Sequence, residues 1–287
     1  MKKNKILNRI LMPLIGIASI GTMMSTISSC SMGTSNKKML DTNMVIHPIE
    51  SSTLVFWREI PNDTVVTPNL EIAVYKEYGK LRWNKIELEH SSDRQSYKLI
   101  KGNKYLVRGD NPQGWDVYDT STNLYKQAAN IKFEGSVYLS GTILSLIDNG
   151  TGKMEAGDTS TLQLPNRCFS SIFKGSDGII NVNGKFLPSE RLGVCCYNGM
   201  FRDCINLVVP PYLPATTLAA GCYNYLYNGC LSLQLVYLGY SGTYADNSNC
   251  FVHWVDDIYD SGKFYYNGPD QEATAFGFSD EWIIRPW

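Results

Sequence analysis

Two regimes of hydrophobic patterning divide the chain. From Val45 to Asn130, short runs of β-forming residues alternate with polar ones: Leu54-Val55-Phe56-Trp57, Leu70-Glu71-Ile72-Ala73-Val74-Tyr75, Arg82-Trp83-Asn84-Lys85-Ile86-Glu87-Leu88 and Tyr105-Leu106-Val107-Arg108. Tyr78-Gly79-Lys80 and Lys101-Gly102-Asn103-Lys104 supply turn chemistry between them. This half predicts a small antiparallel sandwich. Further on the period lengthens. Leu192, Cys196, Met200 and Cys204 recur every four residues, Tyr197 and Phe201 thicken the stripe, and the spacing predicts one face of a helix. Leu207 and Val209, like Leu233 and Leu235, then alternate as one side of a short strand would. Pro210-Pro211 ends any ladder there. Between the regimes, Ile131 to Ile147 reads as the joint that shields the open end of the second part.

The second regime repeats. At an offset of 26 residues, Leu187-Pro188 falls on Leu213-Pro214, Leu192 on Leu218, and Cys196-Tyr197-Asn198 on Cys222-Tyr223-Asn224. Met200-Phe201 falls on Leu226-Tyr227, Cys204 on Cys230 and Leu207 on Leu233. Weaker copies lie 28 residues to either side, Cys168-Phe169 with Ile172-Phe173 and Cys250-Phe251 with Trp254-Val255. One helix and one strand cannot bury an apolar face alone, so each copy needs neighbours, and the period falls in the range of about 20–29 residues of leucine-rich repeats. The expected fold is α+β: an antiparallel β-sandwich-like module over 45–135, then a short leucine-rich-repeat solenoid of helix–strand coils with a C-terminal cap over 136–287. The expected repeat core is Cys168, Cys196, Met200, Phe201, Cys204, Leu207, Cys222, Leu226, Tyr227, Cys230, Leu233 and Cys250.

Met200-Phe201-Arg202-Asp203-Cys204-Ile205-Asn206-Leu207 and Leu226-Tyr227-Asn228-Gly229-Cys230-Leu231-Ser232-Leu233 resemble the A-F-x-x-C-x-x-L core of BspA-like leucine-rich-repeat surface proteins. Leu213-Pro214-Ala215-Thr216-Thr217-Leu218 followed by Cys222-Tyr223 is closer still to a gut-bacterial branch of LPATTL…CY…MF..C.SL repeats. In that branch a β-rich module precedes the repeats and a short Gly/Trp-containing tail ends them; Ser261-Gly262-Lys263-Phe264 and Trp282-Ile283-Ile284 look like that tail. The resemblance covers about Val137–Trp287 and is weaker over Val45–Asn130. Cys195 is an extra cysteine, and only two copies are complete. Adhesion to host matrix proteins or to other bacteria is what the resemblance implies.

The N-terminus changes the picture of where the protein works. Lys2, Lys3, Lys5 and Arg9 precede an apolar run from Ile10 to Ile20, too short to span a bilayer and fitting for a signal peptide. Ile27-Ser28-Ser29-Cys30 resembles a bacterial lipobox, which implies a lipoprotein leader over 1–29 and acylation of Cys30 as the first mature residue, the alternative being an ordinary secretory signal with a coincidental cysteine. Acyl chains there would hold the protein on a membrane at about 0.8 kcal/mol per buried methylene. Residues 30–44 read as a polar tether. Loss of the leader takes 26 basic residues to 22 against 27 acidic ones, a formal −5, and no Lys/Arg cluster suits nucleic acid. The expected address is the bacterial cell envelope, lipid-anchored and extracytoplasmic.

Candidate chemistry is sparse. The seven cysteines besides Cys30 read as small apolar plugs, with bridges between neighbouring coils as the alternative. Cys196 and Cys204 on one helix would be about 12 Å apart, beyond the roughly 7 Å reach of a disulfide and unlike a zinc spacing. His253 is the only histidine near a cysteine, Cys250, and projects from the opposite side; His47 and His90 lie near the tether and in a loop. Asn149-Gly150-Thr151-Gly152-Lys153 lacks the upstream glycine and following hydroxyl of a phosphate loop, with Ile147 and Met154 in those places. Asp256-Asp257 and Asp260 lack the spacing of a calcium loop. Among Tyr223, Tyr225 and Tyr227, only Tyr225 is expected outside, in a contact patch. The expectation is a non-enzymatic surface lipoprotein for macromolecular interaction or adhesion, or alternatively a glycan-binding one, with no cofactor, no metal and an unidentified host or bacterial surface protein or glycan as partner.

Overall fold

A computed structural model describes residues 34–57, 69–76, 80–86, 94–119, 124–127, 130–152, 163–183, 185–270 and 272–286. The leader, Cys30, Tyr78-Gly79, Glu87-Leu88, His90 and Lys153-Met154 lie outside the described residues. Most of the segment read as a tether is helical: α1 spans Thr34–Thr42. Its C-terminal end is held by Asn43, whose side-chain amide donates to the Met39 carbonyl at 2.8 Å. That local bond, rather than an apolar stripe, secures the helix end, so the hydrophobic pattern gave no sign of it.

The alternating half forms strands β1 (Met44–Pro48), β2 (Ser52–Trp57), β3 (Leu70–Val74), β4 (Asn84–Ile86), β5 (Arg94–Leu99), β6 (Tyr105–Gly109), β7 (Asp116–Asp119), β8 (Leu124–Gln127), β9 (Asn130–Glu134) and β10 (Val137–Gly141), followed by helix α2 (Ser145–Asp148) and β11 (Ile179–Val182). One six-stranded sheet runs β11-β10-β1-β6-β3-β4 and a three-stranded one β5-β2-β9, with β7-β8 as a separate pair. All these pairings are antiparallel except β10 with β11. Met44, Ile46, Ile72 and Val107 of the first sheet join Leu54, Phe56, Ile131 and Phe133 of the second in one buried cluster. Period two explains this: every other side chain of each strand enters the cluster.

The repeat region departs from expectation. The helix–strand leucine-rich-repeat solenoid is not the architecture: the chain is mostly β, with α1, α2 and two short 3-10 segments, Ala245–Cys250 and Ala273–Phe276, as its described helices. The stretches read as helices are consecutive turns (166–175, 194–203 and 220–229). Within each, every second N–H closes a turn on the carbonyl three residues back, as Asn198 does on Cys195, Met200 on Tyr197 and Arg202 on Gly199. The intervening N–H groups donate to the next set of turns: Phe169 to Cys196 O, Tyr197 to Cys222 O and Tyr223 to Cys250 O, at 2.9–3.1 Å. Every fourth residue is left-handed: Arg167, Ser171 and Gly175; Cys195, Gly199 and Asp203; Gly221, Tyr225 and Gly229; then His253 and Asp257.

The physical reason lies in the period. A helix turns about 100° per residue, so three steps of four residues rotate the stripe by about 120°. A left-handed residue at every fourth position keeps a strict period of four, and Gly199, Gly221 and Gly229, poor helix residues, take that conformation without a Cβ penalty. The paired-side reading of the strands also fails. Leu207 is buried and Val209 half-exposed; Leu233 closes a turn on Cys230, and strand β12 (Leu235–Leu238) begins two residues later.

Period four lines up the side chains instead. Phe169, Tyr197, Tyr223 and Phe251 form one aromatic column with centroid spacings of 6.2, 6.3 and 5.8 Å. Phe173, Phe201, Tyr227 and Trp254 form a second at 5.5, 6.0 and 6.5 Å. The thiols of Cys204 and Cys230 donate to the carbonyls of Phe173 and Phe201 in the preceding turns, at 3.2 and 3.0 Å. The β module continues the ladder at the front end: Trp115 N–H donates to Cys168 O at 2.5 Å and Ile131 N–H to Ile172 O at 2.7 Å. Arg167 adds a side-chain link there, its Nε 2.5 Å from the buried Asp116 carboxylate. At the far end the Trp254 indole donates to Phe276 O at 2.6 Å inside a cluster with Phe251, Phe264 and Phe278.

All seven described cysteines are free thiols, and only Cys195 is part-exposed. Burial pushes the Cys204 thiol up to about 12 and Cys168 and Cys196 up as well, which keeps them protonated and unreactive. A disulfide-exchange reagent on the native protein should therefore titrate Cys195 alone among these seven, and all seven after unfolding; a native count of zero with six oxidised would contradict the packing. The Tyr223 and Tyr227 hydroxyls are buried and find no hydrogen-bond partner among the described residues, while phenylalanine fills the same columns at Phe169, Phe173 and Phe201. Tyr227→Phe should leave stability unchanged or raise it by about 1 kcal/mol. Chemical denaturation reads this, and a loss beyond that size would show a hydroxyl contact that matters.

Candidate functional site

Strand β12 pairs in parallel with β13 (Gly262–Tyr266), and β13 with β14 (Trp282–Arg285). Alternation buries Val236, Leu238, Phe264, Tyr266 and Trp282 and turns Leu235, Tyr237, Lys263, Tyr265, Ile283 and Arg285 outward. The registers set these in two rows, Leu235–Lys263–Ile283 and Tyr237–Tyr265–Arg285. Tyr237 and Tyr265 stack with centroids 4.4 Å apart and planes 13° from parallel. Burial and then the neighbouring Tyr265 push the Tyr237 phenol above its ordinary value, so the Tyr237 hydroxyl stays a protonated donor.

Tyr212 lies beside this pair, because Leu213 bridges Leu238 and its N–H donates to Tyr237 O at 3.0 Å. Gly239 makes room: a Cβ there would sit 2.7 Å from the Tyr212 hydroxyl and 3.0 Å from the Leu213 carbonyl. The three strands contain no acidic residue, and Ile283 is 49 % exposed. The result is an apolar and aromatic face with one cation, Lys263, on its central strand, another, Arg285, at its edge, and phenols oriented by stacking. On such a surface tyrosine offers contact area at low entropic cost and arginine a planar fork.

The residues singled out by sequence are distributed elsewhere. All twelve of the repeat-core residues are buried. Cys250 and His253 diverge: the thiol donates to Ala219 O at 3.2 Å, whereas His253 is exposed with Nδ1 2.6 Å from Asp256 Oδ2. Tyr225 is only part-buried and stacks on His253 at 5.2 Å, with the Arg202 guanidinium 5.3 Å from its ring. Asn149 is the left-handed cap of α2, and Gly150 N–H donates to Asp148 Oδ1 at 2.9 Å, so this loop closes a helix end. No group of three metal-ligating side chains forms among the described residues, and Asp256 is engaged by His253.

The Tyr237–Tyr265 pair was not singled out from sequence. The signal existed: Tyr237 and Tyr265 are 28 residues apart, the same offset as Cys222 and Cys250. Extending the repeat register beyond Leu233 would have aligned them. No family model matches the chain, and no curated protein or solved structure is significantly similar to it.

Proposed function

We propose that this chain is a lipid-anchored bacterial surface protein without catalytic activity that docks a partner protein on the outer face of β12–β14. The stacked Tyr237–Tyr265 pair beside Arg285 carries the reading. Stacking covers the ring face that each tyrosine turns to the other and so removes part of the flat surface a sugar would use, which suits a protein partner. Lys263 and Arg285, with no carboxylate on these strands, call for acidic side chains around an apolar centre on that partner. The likeness of Met200–Leu207 and Leu226–Leu233 to BspA-like surface proteins supports the same use, and the lipobox-like Ile27-Ser28-Ser29-Cys30 supports an envelope address with the chain leashed through Cys30.

Two measurements address the two halves of this reading. Intact mass of protein recovered from a bacterial host should show loss of 1–29 and a diacyl or triacyl increment, both abolished by Cys30→Ala; an unmodified mature chain would remove the anchor. Binding of the full chain to immobilised matrix proteins and to an array of neutral glycans should give protein signal without glycan signal. Tyr265→Ala and Lys263→Glu/Arg285→Glu should each weaken that signal at least tenfold, as central and charged contacts do (about 1.4 kcal/mol per decade). Glycan binding instead, or indifference to these changes, would assign the face another role.

A further inference from the structure

A cleft of about 580 Å³ opens against the six-stranded sheet, between α1, β1, β10 and the segment after β11. It is lined by Asp41 from α1, His47 from β1, Lys104 just before β6, Ser140 from β10, and Asn183 and Lys185 beyond β11. The antiparallel register sets Ser140 opposite Val45, one diagonal step from His47, and His47 Nε2 lies 2.7 Å from Ser140 Oγ. Burial and then Lys104 bring the imidazole down to about 4, so the ring is neutral at neutral pH.

The cleft holds an imbalance of charge. Two ammonium groups and a protonatable imbalance partner, His47, face one carboxylate, Asp41. Among the described residues neither Lys104 nor Lys185 is engaged in an ion pair. Ser140 and Asn183 add a hydroxyl and an amide at the same lining. Donors gathered in a recess, with one carboxylate against two lysines, match an oxyanion with further polar groups around it. The volume lies within the roughly 300–1,000 Å³ range of small-ligand sites.

We propose that this cleft binds a small oxyanionic ligand of about monosaccharide size, held by Lys104 and Lys185, with His47 and Ser140 as hydrogen-bonding partners. The site is separate from the docking face and does not depend on it. Bound negative charge opposes the effect of Lys104 on His47, so the ligand raises the imidazole pKa; by linkage, affinity tightens as pH falls through that raised value toward 4. Asp41→Asn removes the one carboxylate of the cleft and isolates the contribution of the histidine. The sign for the free protein is opposite: native His47 titrates near 4 and unfolded His near 6.5, so stability falls as pH drops through that window. The ligand should offset that loss.

The test uses the full chain with D-glucuronate, inorganic phosphate and D-glucose as probes, followed by calorimetry and by the His47 ring signals in NMR. Expected are saturable binding of glucuronate, phosphate or both, an upward-moving His47 pKa, and none of this with glucose. Glucuronate alone points to an acidic sugar as the source, phosphate alone to a free or esterified phosphate. Lys104→Met/Lys185→Met should weaken binding at least tenfold, and His47→Gln should flatten its pH dependence. Circular dichroism checks that the variants fold, and the wild-type NMR titration stands without them. Equal binding of glucose, an unmoved His47 signal at saturating anion, or full affinity in the double-lysine variant overturns the proposal.

Discussion

The backbone ladder between successive turns is the constraint on which the rest depends. In each set of turns the N–H groups alternate in destination, one closing its own turn and the next reaching the neighbour. A buried amide left unmade costs about 1–3 kcal/mol, so the alternation is compulsory once the turns stack. It is also demanding, because left-handed residues such as Ser171, Cys195 and Tyr225 cost about 1–2 kcal/mol each where glycine is not used. A helix would satisfy its amides internally and meet its neighbours through side chains alone. The turn ribbon joins neighbouring backbones directly, and the aromatic and thiol columns then fill the space inside.

A ladder of this kind has two open ends, and both are closed by different chemistry. At the front, Trp115 and Ile131 of the β module donate to the first turns as another set of turns would, and the Arg167–Asp116 pair joins the two halves. Burial outweighs the guanidinium at Asp116 and raises its carboxyl above the usual value, so this pair is a costly joint rather than a source of stability. At the rear, Trp254, Phe264, Phe276 and Phe278 close the stack with edge-to-face and tilted aromatic packing. The short parallel sheet β12–β14 grows from the same end. Its inner face is therefore fixed by the cap, while its outer face carries no packing demand from it.

Division of labour follows from this layout. The turns hold the buried core, the sheet at the rear offers the tyrosine and arginine face, and the six-stranded sheet near α1 carries the cleft around His47. Side chains that look reactive by type, such as Cys204, Cys230 and Cys250, are spent on packing: their thiols point at carbonyls of neighbouring turns.

The sequence by itself determined strands β2, β3, β4 and β6, the repeat register and the burial of the repeat-locked cysteines and aromatics, because periods of two and four are local properties. It did not determine the conformation that carries the period of four. Helix and turn ribbon both place Leu192, Cys196 and Met200 on one side, and the glycines at 199, 221 and 229 decide between them only once neighbours accept their amides. The cleft was illegible for a related reason: His47 and Ser140 are 93 residues apart and meet only through the β1–β10 register. Tyr237 and Tyr265 likewise become one surface only when parallel strands pair across 28 residues. Local periodicity specifies which side chains are buried; backbone pairing at long range decides which of the remaining ones stand together.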